Sequence, residues 1–440
     1  MMKNNIIERT LKAMGFSALK PMQLEMLDAY DKRGDLILLS PTGSGKTLAF
    51  LLPMSMHLKH NETLPQTLIL VPSRELAIQI DRVFRSMQTG MRITCCYGGH
   101  DIKKEKNELS ANPAVIVGTP GRILDHLKNE NFNPTGIRTL ILDEFDKALE
   151  LGFTEEMSAI IAKLPEIRKR VLTSATDGTE VPDYVALKNE TKLSFLKGSN
   201  VNDRLTLKRV NSPVPDKLDT LQRLICELGE GSKLVFCNYR ESAERVSQSL
   251  AKAGIPNANF HGGMEQADRE RALIRFRNGS INVFVSTDLA ARGLDIPEIK
   301  HIIHYHLPVN EEAFIHRNGR TARMNAEGNA YLILGPDEYL PSYLQEEPVF
   351  QSLSEPTPSP AVPEWVTVYI GKGKKDKLSK MDIVGFLIQK GGLEKSEIGI
   401  IDVKEFHSYV AVRRNLAKQL LKKVEGLKIK NMKTKFALSE

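Results

Sequence analysis

Eight residues, SPTGSGKT at 40–47, constrain this 440-residue chain more than any other stretch. They follow a short apolar run at 35–39 that reads as a buried strand, and they precede 48–58, which reads as a helix. A strand, a tight glycine loop and a helix together make a phosphate cradle. Gly43 and Gly45 bring no side chain, so the backbone N–H groups from Thr42 through Ser44 to Lys46 can close on phosphate oxygens at a helix N-terminus. Lys46 suits the outer phosphates, and the Thr47 hydroxyl suits a Mg2+ ion. Ser40 stands where the strict pattern has glycine, which leaves a plain Gly/Ser turn as the alternative for these residues alone.

A second motif, TLILDEFD at 139–146, weighs against the plain turn. Residues 140–142 read as another buried strand, with Asp143 and Glu144 at its C-terminal end, where open α/β sheets hold their chemistry. Asp143 suits metal binding, and Glu144 suits orienting or deprotonating a water. The two motifs together predict a nucleoside triphosphatase.

Strands recur at 67–71, 92–97 and 114–118 with helical stretches between them, a βα alternation that predicts a mainly parallel sheet. Their ends carry PSRELAIQ (72–79), Gly98 with Gly99, and TPGR (119–122); SAT (174–176) closes a further strand. Such loops offer hydroxyls, arginines and N–H groups, which suit contacts to a phosphate backbone that do not read bases. The second half repeats the plan without a phosphate loop, with strands at 233–237, 258–260, 281–286, 301–306 and 330–334. Arg317, Arg320 and Arg323 recur every third residue there, facing either one polyanion or nearby carboxylates.

This ordered set resembles the DEAD-box RNA helicases. SPTGSGKT, PSRELAIQ, GG, TPGR, DEFD and SAT match the first half of such a protein. KLVFCN (233–238), HGGMEQADRERAL (261–273), STDLAARGLDIP (286–297) and HRNGRTAR (316–323) match the second. The resemblance spans 15–335 and implies an α/β chain of two tandem RecA-like domains, 1–200 and 201–343, which close when ATP and RNA are both bound. The implied cofactors are ATP and Mg2+, placed between Lys46, Thr47, Asp143 and Glu144 on one side and Arg320 and Arg323 on the other. Gln23 is implied at the adenine and Asp295 at the ribose. Arg74, Gly99, Thr119, Arg122, Arg269, Thr287 and Gly293 match positions along the RNA path. Phe145 stands where the family usually has alanine, and it is expected to pack into the core of its own domain. The implied activity is that of an ATP-dependent RNA helicase. An ATP-gated clamp or RNA-binding scaffold would need the same residues and is the alternative.

Charge separates the tail from the rest. The formal net charge is +7, yet residues 365–440 hold 17 Lys and Arg against 8 Asp and Glu, a net +9. A domain so charged seeks a polyanion, most simply nucleic acid, or else wears a solubilising lysine surface. Ahead of it, 344–364 carries five prolines and reads as an extended linker that keeps reach, or as a strap packed on the second domain. The tail reads as strand, helix, two strands, helix and strand, a small α+β fold like an RNA-recognition motif. Lys374, Lys375 and Arg413 are candidates to grip phosphates, with Tyr369 and Tyr409 as stacking positions. GKGKKDKLSKMDIVGFL and IGIIDVKEFHSYVAV resemble the C-terminal domain of DbpA-type helicases, which implies structured RNA as partner, large-subunit ribosomal RNA within that subfamily, and a role in ribosome assembly.

The four cysteines show no CxxC spacing, so zinc and a disulfide framework are disfavoured. The longest apolar runs fall far short of the ~20 residues that span a bilayer, and the N-terminus lacks a secretory apolar core. A cytoplasmic monomer without a membrane partner is the expectation.

Overall fold

Strands that are apolar on both faces are stable only in a sheet covered on both sides. The computed structural model, which describes residues 2–439 apart from 42, 100, 197–204, 289–298, 322–327 and 345, contains two such sheets. The chain divides into two compact units, with the boundary at residues 203 and 204.

The first unit holds β1 (Leu36–Leu39), β2 (Thr67–Leu70), β3 (Ile93–Cys96), β4 (Val115–Gly118), β5 (Thr139–Leu142), β6 (Lys169–Ser174) and β7 (Thr191–Ser194). They lie in the order β3-β4-β2-β5-β6-β1-β7, every neighbouring pair parallel. Successive residues divide between two cores, as a period of two requires. Ile69, Val115 and Val117 pack with α1 (Met2–Met14), α2 (Pro21–Tyr30), α3 (Lys46–Met56) and α4 (Arg74–Ser86). Leu68, Leu70 and Ile116 pack with α5 (Ile102–Leu109), α6 (Pro120–Lys128), α7 (Phe145–Glu150) and α8 (Thr154–Ile161). Because helices leave the strands at their C-terminal ends, the loops after β1, β2, β4, β5 and β6 gather along one edge of the sheet.

The second unit repeats the plan with β8 (Leu205–Asn211), α9 (Leu218–Glu227), β9 (Lys233–Cys237), α10 (Arg240–Lys252), β10 (Asn257–Phe260), α11 (Gln266–Arg277), β11 (Val283–Thr287), β12 (His301–His304), α12 (Glu311–Asn318) and β13 (Gly328–Leu334). A two-residue strand, β14 (Val349–Phe350), completes the order β10-β11-β9-β12-β13-β8-β14. The sequence reading lacked β7, β8 and β14, whose pattern is too short or too polar to signal a strand alone.

β14 also corrects the picture of a linker that keeps its reach. Val349 and Phe350 pair in parallel with Lys208 and Arg209, and the Gln351 N–H donates to the Arg209 carbonyl at 2.8 Å. Glu355 meets Arg223 at 3.1 Å, and the Ser354 hydroxyl donates to Glu227 at 2.9 Å. Proline lacks the N–H a ladder needs, but the residues between Pro348 and Pro356 keep theirs, and the unpaired edge of β8 takes them up.

The tail packs α13 (Lys380–Gln389) and α14 (Arg414–Val424) on one face of an antiparallel sheet. Its strands are β15 (Trp365–Ile370), β16 (Ile398–Val403), β17 (Ser408–Arg413) and, after a small hairpin, a last strand at Phe436–Leu438. Val368, Ile370, Val410 and Val412 face the helices, so Thr367, Tyr369 and Tyr409 lie on the other face. No helix among the described residues is long and apolar enough to cross a membrane, and the four cysteines are free thiols.

Candidate active site

The glycine loop after β1 turns at Gly43 (φ +76°) and Gly45 (φ +105°), conformations that a side chain would strain. Gly45 caps α3, and Lys46 and Thr47 form its first turn. The Lys46 ammonium is buried and donates to the Ser40 carbonyl, while the Ser40 hydroxyl donates to that of Ser44 at 2.8 Å. Gln23 is buried against this loop. Its Nε2 donates to the Gly45 carbonyl at 3.3 Å, and its Oε1 accepts the Lys20 N–H at 2.9 Å. Lys20 Nζ donates to the Ser44 carbonyl at 2.7 Å, a contact the sequence reading missed. The Gln23 amide therefore braces the phosphate loop from α2.

At the end of β5, Asp143 and Glu144 are joined through Thr173 of β6. The Thr173 hydroxyl donates to the Asp143 carboxylate and accepts the Glu144 N–H at 3.2 Å. That bond holds Glu144 at φ +50°, a left-handed conformation costly for a residue with a side chain and common at working sites. Burial pushes the Asp143 carboxyl up to about 6, the Glu144 charge adds to this, and the Thr173 hydroxyl and Lys46 oppose it. Glu144 Oε2 has no hydrogen-bond partner among the described residues. Thr173 stands one residue before SAT, so a reading of TSAT as a unit would have found it.

SAT ties the next turn down. Ser174 Oγ donates to the Thr176 carbonyl at 2.8 Å, and Thr176 Oγ1 reaches Asp146 at 3.5 Å. The Ser40 N–H donates to the Ser174 carbonyl at 3.0 Å, which sets the phosphate loop beside SAT. Phe145 is buried in the cluster that holds Leu142, Met157 and Leu172, on the α7 side of the sheet.

The loops read as contacting a nucleic-acid backbone are knitted together within this unit. Arg74 opens α4 and lies so close to Gly99 (φ +85°) that a Cβ there would come 2.8 Å from Arg74 Nη1. Thr119 caps α6, with its N–H donating to the Cys96 carbonyl at 3.1 Å. Glu105 of α5, also missed from sequence, is completely buried and joins the two loops. Its carboxylate accepts the Tyr97 N–H at 3.1 Å and the His126 Nε2–H at 2.8 Å, and it lies 3.5 Å from Arg122 Nη1. Asn131 Nδ2 donates to His126 Nδ1 at 2.9 Å, so the neutral ring carries its proton on Nε2, toward Glu105.

In the second unit, Arg269 is buried with its guanidinium over the Phe260 ring, Thr287 ends β11, and Arg320 is buried just after α12. Arg317 settles its alternatives in favour of a carboxylate: Asp288 takes it in a fork at 2.5 and 2.7 Å, and it also donates to the His306 carbonyl and Asn238. In the tail, Lys374 and Lys375 are exposed on a short turn. Arg413 pairs with Glu364 and stacks on Trp365 at 4.4 Å, so it is engaged by the tail itself. Thr42, Gly293, Asp295 and Arg323 lie outside the described residues.

The tail sheet is turned toward its own helicase unit. The Thr367 hydroxyl lies 2.6 Å from Ser280 Oγ and accepts from Asn278 Nδ2 at 3.2 Å, and Lys404 donates to Glu270 of α11 at 2.7 Å. Tyr409 is buried in an aromatic group with Tyr369 and His407. Part of the face on which such folds stack nucleotides, around Thr367 and Tyr409, is therefore taken up.

Known proteins share this organisation segment by segment. Residues 20–183 match the DEAD/DEAH box helicase family, 216–325 the helicase conserved C-terminal domain, and 367–437 the DbpA RNA binding domain. The chain is 32% identical to the ATP-dependent RNA helicase DbpA of Escherichia coli over 431 residues, 96% of this chain and 94% of that one. It is 30% identical to DbpA of Bacillus subtilis over 472 residues, 98% and 96% of the two chains. A solved structure of S. cerevisiae Dbp5 bound to RNA and ADP BeF3 superposes with a TM-score of 0.68 at 27% identity, over 76% of this chain and 88% of that one. The three matched segments, with 30–32% identity to DbpA proteins along nearly the whole chain, make the protein a DEAD-box ATP-dependent RNA helicase of the DbpA type, an RNA-dependent ATPase.

Proposed function

We propose that this chain couples ATP turnover to the local separation of short duplexes in a structured RNA, and that its basic tail selects that RNA. The observation that carries the reading is the presence, in one chain, of the Thr173-bridged Asp143–Glu144 pair and a tail with its own hydrophobic core and a net charge of +9. Large-subunit ribosomal RNA as target, ribosome assembly as the process and a cytoplasmic monomer as the working form rest on the likeness to DbpA.

The assigned roles follow from the chemistry. Gly43, Ser44, Gly45 and Lys46 bind the phosphates, and Gln23 links adenine recognition to the loop it braces. The buried Asp143 carboxylate, with its pKa raised to about 6, fits a divalent cation shared with the Thr47 hydroxyl. Bound there, Mg2+ would neutralise charge on the phosphate oxygens. Glu144 Oε2 is the free acceptor that orients the attacking water and takes its proton. Arg320 and Arg323 are assigned to the transition-state charge, a role worth about 10³ to 10⁵ in rate. Asp295 is assigned to the ribose, and Thr42 to the loop. Arg74, Gly99, Thr119, Arg122, Arg269, Thr287 and Gly293 are assigned to sugar and phosphate, which predicts little sequence preference in the core.

Steady-state ATP hydrolysis with no RNA, with poly-RNA and with ribosomal RNA tests the reading. Much stronger stimulation by ribosomal RNA supports targeting through the tail, and equal stimulation reduces the tail to a non-specific anchor. A strand-separation assay then distinguishes unwinding from an ATP-gated clamp.

A further inference from the structure

With part of the tail sheet face taken up, one exposed aromatic ring elsewhere on that domain stands on a lysine-rich double loop. Phe406, 59% exposed, lies on the loop between β16 and β17. This loop is zipped to the basic turn after β15. The Lys374 N–H donates to the Lys404 carbonyl at 2.8 Å, and the Lys375 N–H donates to the Glu405 carbonyl at 2.9 Å. Gly373 sits so close that a Cβ would come 2.5 Å from the Lys404 oxygen and 2.6 Å from that of Glu405. Ring and lysines are thus carried on one rigid double loop. Lys375 Nζ lies over the Phe406 ring, 4.2 Å from its centroid. Lys374 and Lys377 are exposed on the same basic turn, and Lys380 is exposed at the start of α13. The nearby acids are engaged: Asp376 takes Lys372 at 2.9 Å and the Gly373 N–H at 3.1 Å, and Glu405 lies 3.7 Å from Lys375.

We propose that Phe406 is a stacking platform for one unpaired nucleotide of the structured RNA, with Lys374, Lys375 and Lys377 on its phosphates. The inference rests on the reading that the tail binds structured RNA, and it gives that binding a place. An exposed cation–π contact is worth about two- to fivefold in an equilibrium constant. A base on an aromatic ring is worth about 5- to 150-fold in affinity. A base therefore displaces Lys375 from the ring, and the freed ammonium reaches the phosphate of the same nucleotide. Every base has a π face, so the platform selects for an unpaired nucleotide and does not select its identity.

The test uses the full chain and a large-subunit ribosomal RNA transcript, with affinity measured across a salt titration. Phe406→Ala should weaken binding by about 5- to 150-fold without changing the slope of log affinity against log salt. Phe406→Trp should retain binding. A Lys374→Ala, Lys375→Ala double variant should lower the slope by about 1.4, since each single-strand phosphate contact contributes ~0.7. If Phe406→Ala binds within twofold of the parent while the lysine variant weakens, the platform is overturned and RNA binding by the tail survives. Failure of Phe406→Trp to retain what Phe406→Ala loses would also overturn it, making the ring a structural support. If all three variants bind as the parent does, tail-directed RNA binding itself falls.

Discussion

Removal of the Glu105 carboxylate should loosen the edge of the first sheet and misalign two loops at once. The side chain has no solvent exposure and accepts from the Tyr97 N–H and the His126 Nε2–H, with Arg122 beside it. A hydrogen bond to a charged group contributes about 1.5–3 kcal/mol, so Glu105→Ala should cost about 3–6 kcal/mol. Domains are stable by only about 5–15 kcal/mol, so the unit should stay folded but open more readily. Glu105→Gln should cost less. Its oxygen still accepts from Tyr97, and its amide can donate to His126 if the ring proton moves to Nδ1 and the Asn131 amide turns over. The single tryptophan, Trp365, lies in the tail and would not report on this region. Hydrogen exchange of peptides covering 93–131 is the direct assay. Exchange should accelerate by about 10² to 10⁴ in Glu105→Ala, tenfold for each ~1.4 kcal/mol of lost opening energy, and less in Glu105→Gln. The RNA concentration for half-maximal ATPase should rise with it. Protection within threefold of the parent in Glu105→Ala would refute the reasoning.

Other perturbations address the acidic pair and the core beneath it. Glu144→Gln should abolish multiple turnover while ATP-dependent RNA binding persists; equal loss of both in filter binding and phosphate release would mean Glu144 has another role. The Asp143 carboxyl, raised to about 6 in the fold against 3.8 for the free group, stabilises the fold below pH ~4, and this contribution is lost as pH rises through about 6. Nucleotide and Mg2+ need the ionised form, so their affinity should fall as pH drops below 6; a titration from pH 5 to 8 in which parent and Asp143→Asn share one profile would exclude Asp143 as the titrating group. Phe145→Ala, which restores the residue the family usually carries, should destabilise the first unit by about 3–5 kcal/mol through lost packing. Thermal inactivation of ATPase should reveal this as a lower midpoint, with the rate at low temperature retained.

Local pattern was enough for much of the architecture, because the sheets are built from runs whose periodicity is visible over four to seven residues. The strands at 67–71 and 140–142, the glycine loop between strand and helix, and the strand–helix order of the tail were all readable in that way. Chemistry could likewise be placed at strand ends, since Asp143 and Glu144 directly follow the last apolar residue of β5.

Which side chains meet is a different matter, set by packing between segments far apart in sequence. Thr173 is 30 residues from Asp143, yet the parallel pairing of β5 with β6 brings the two strand ends together. Nothing local singles out Glu105, and only the pairing of β3 with β4 turns it into the buried link between Tyr97, Arg122 and His126. A proline-rich segment suggested reach, but the open edge of β8 draws it in as a strap. Tyr369 and Tyr409 suggested stacking positions, but docking against α11 and the turn after it goes with a buried Tyr409 and a half-buried Tyr369, and leaves Phe406 outside. Sequence by itself determined most of the elements, β7, β8 and β14 apart, and the chemistry each could carry. Tertiary structure alone decided the partners, because burial and hydrogen bonding depend on what lies across space, which no local period encodes.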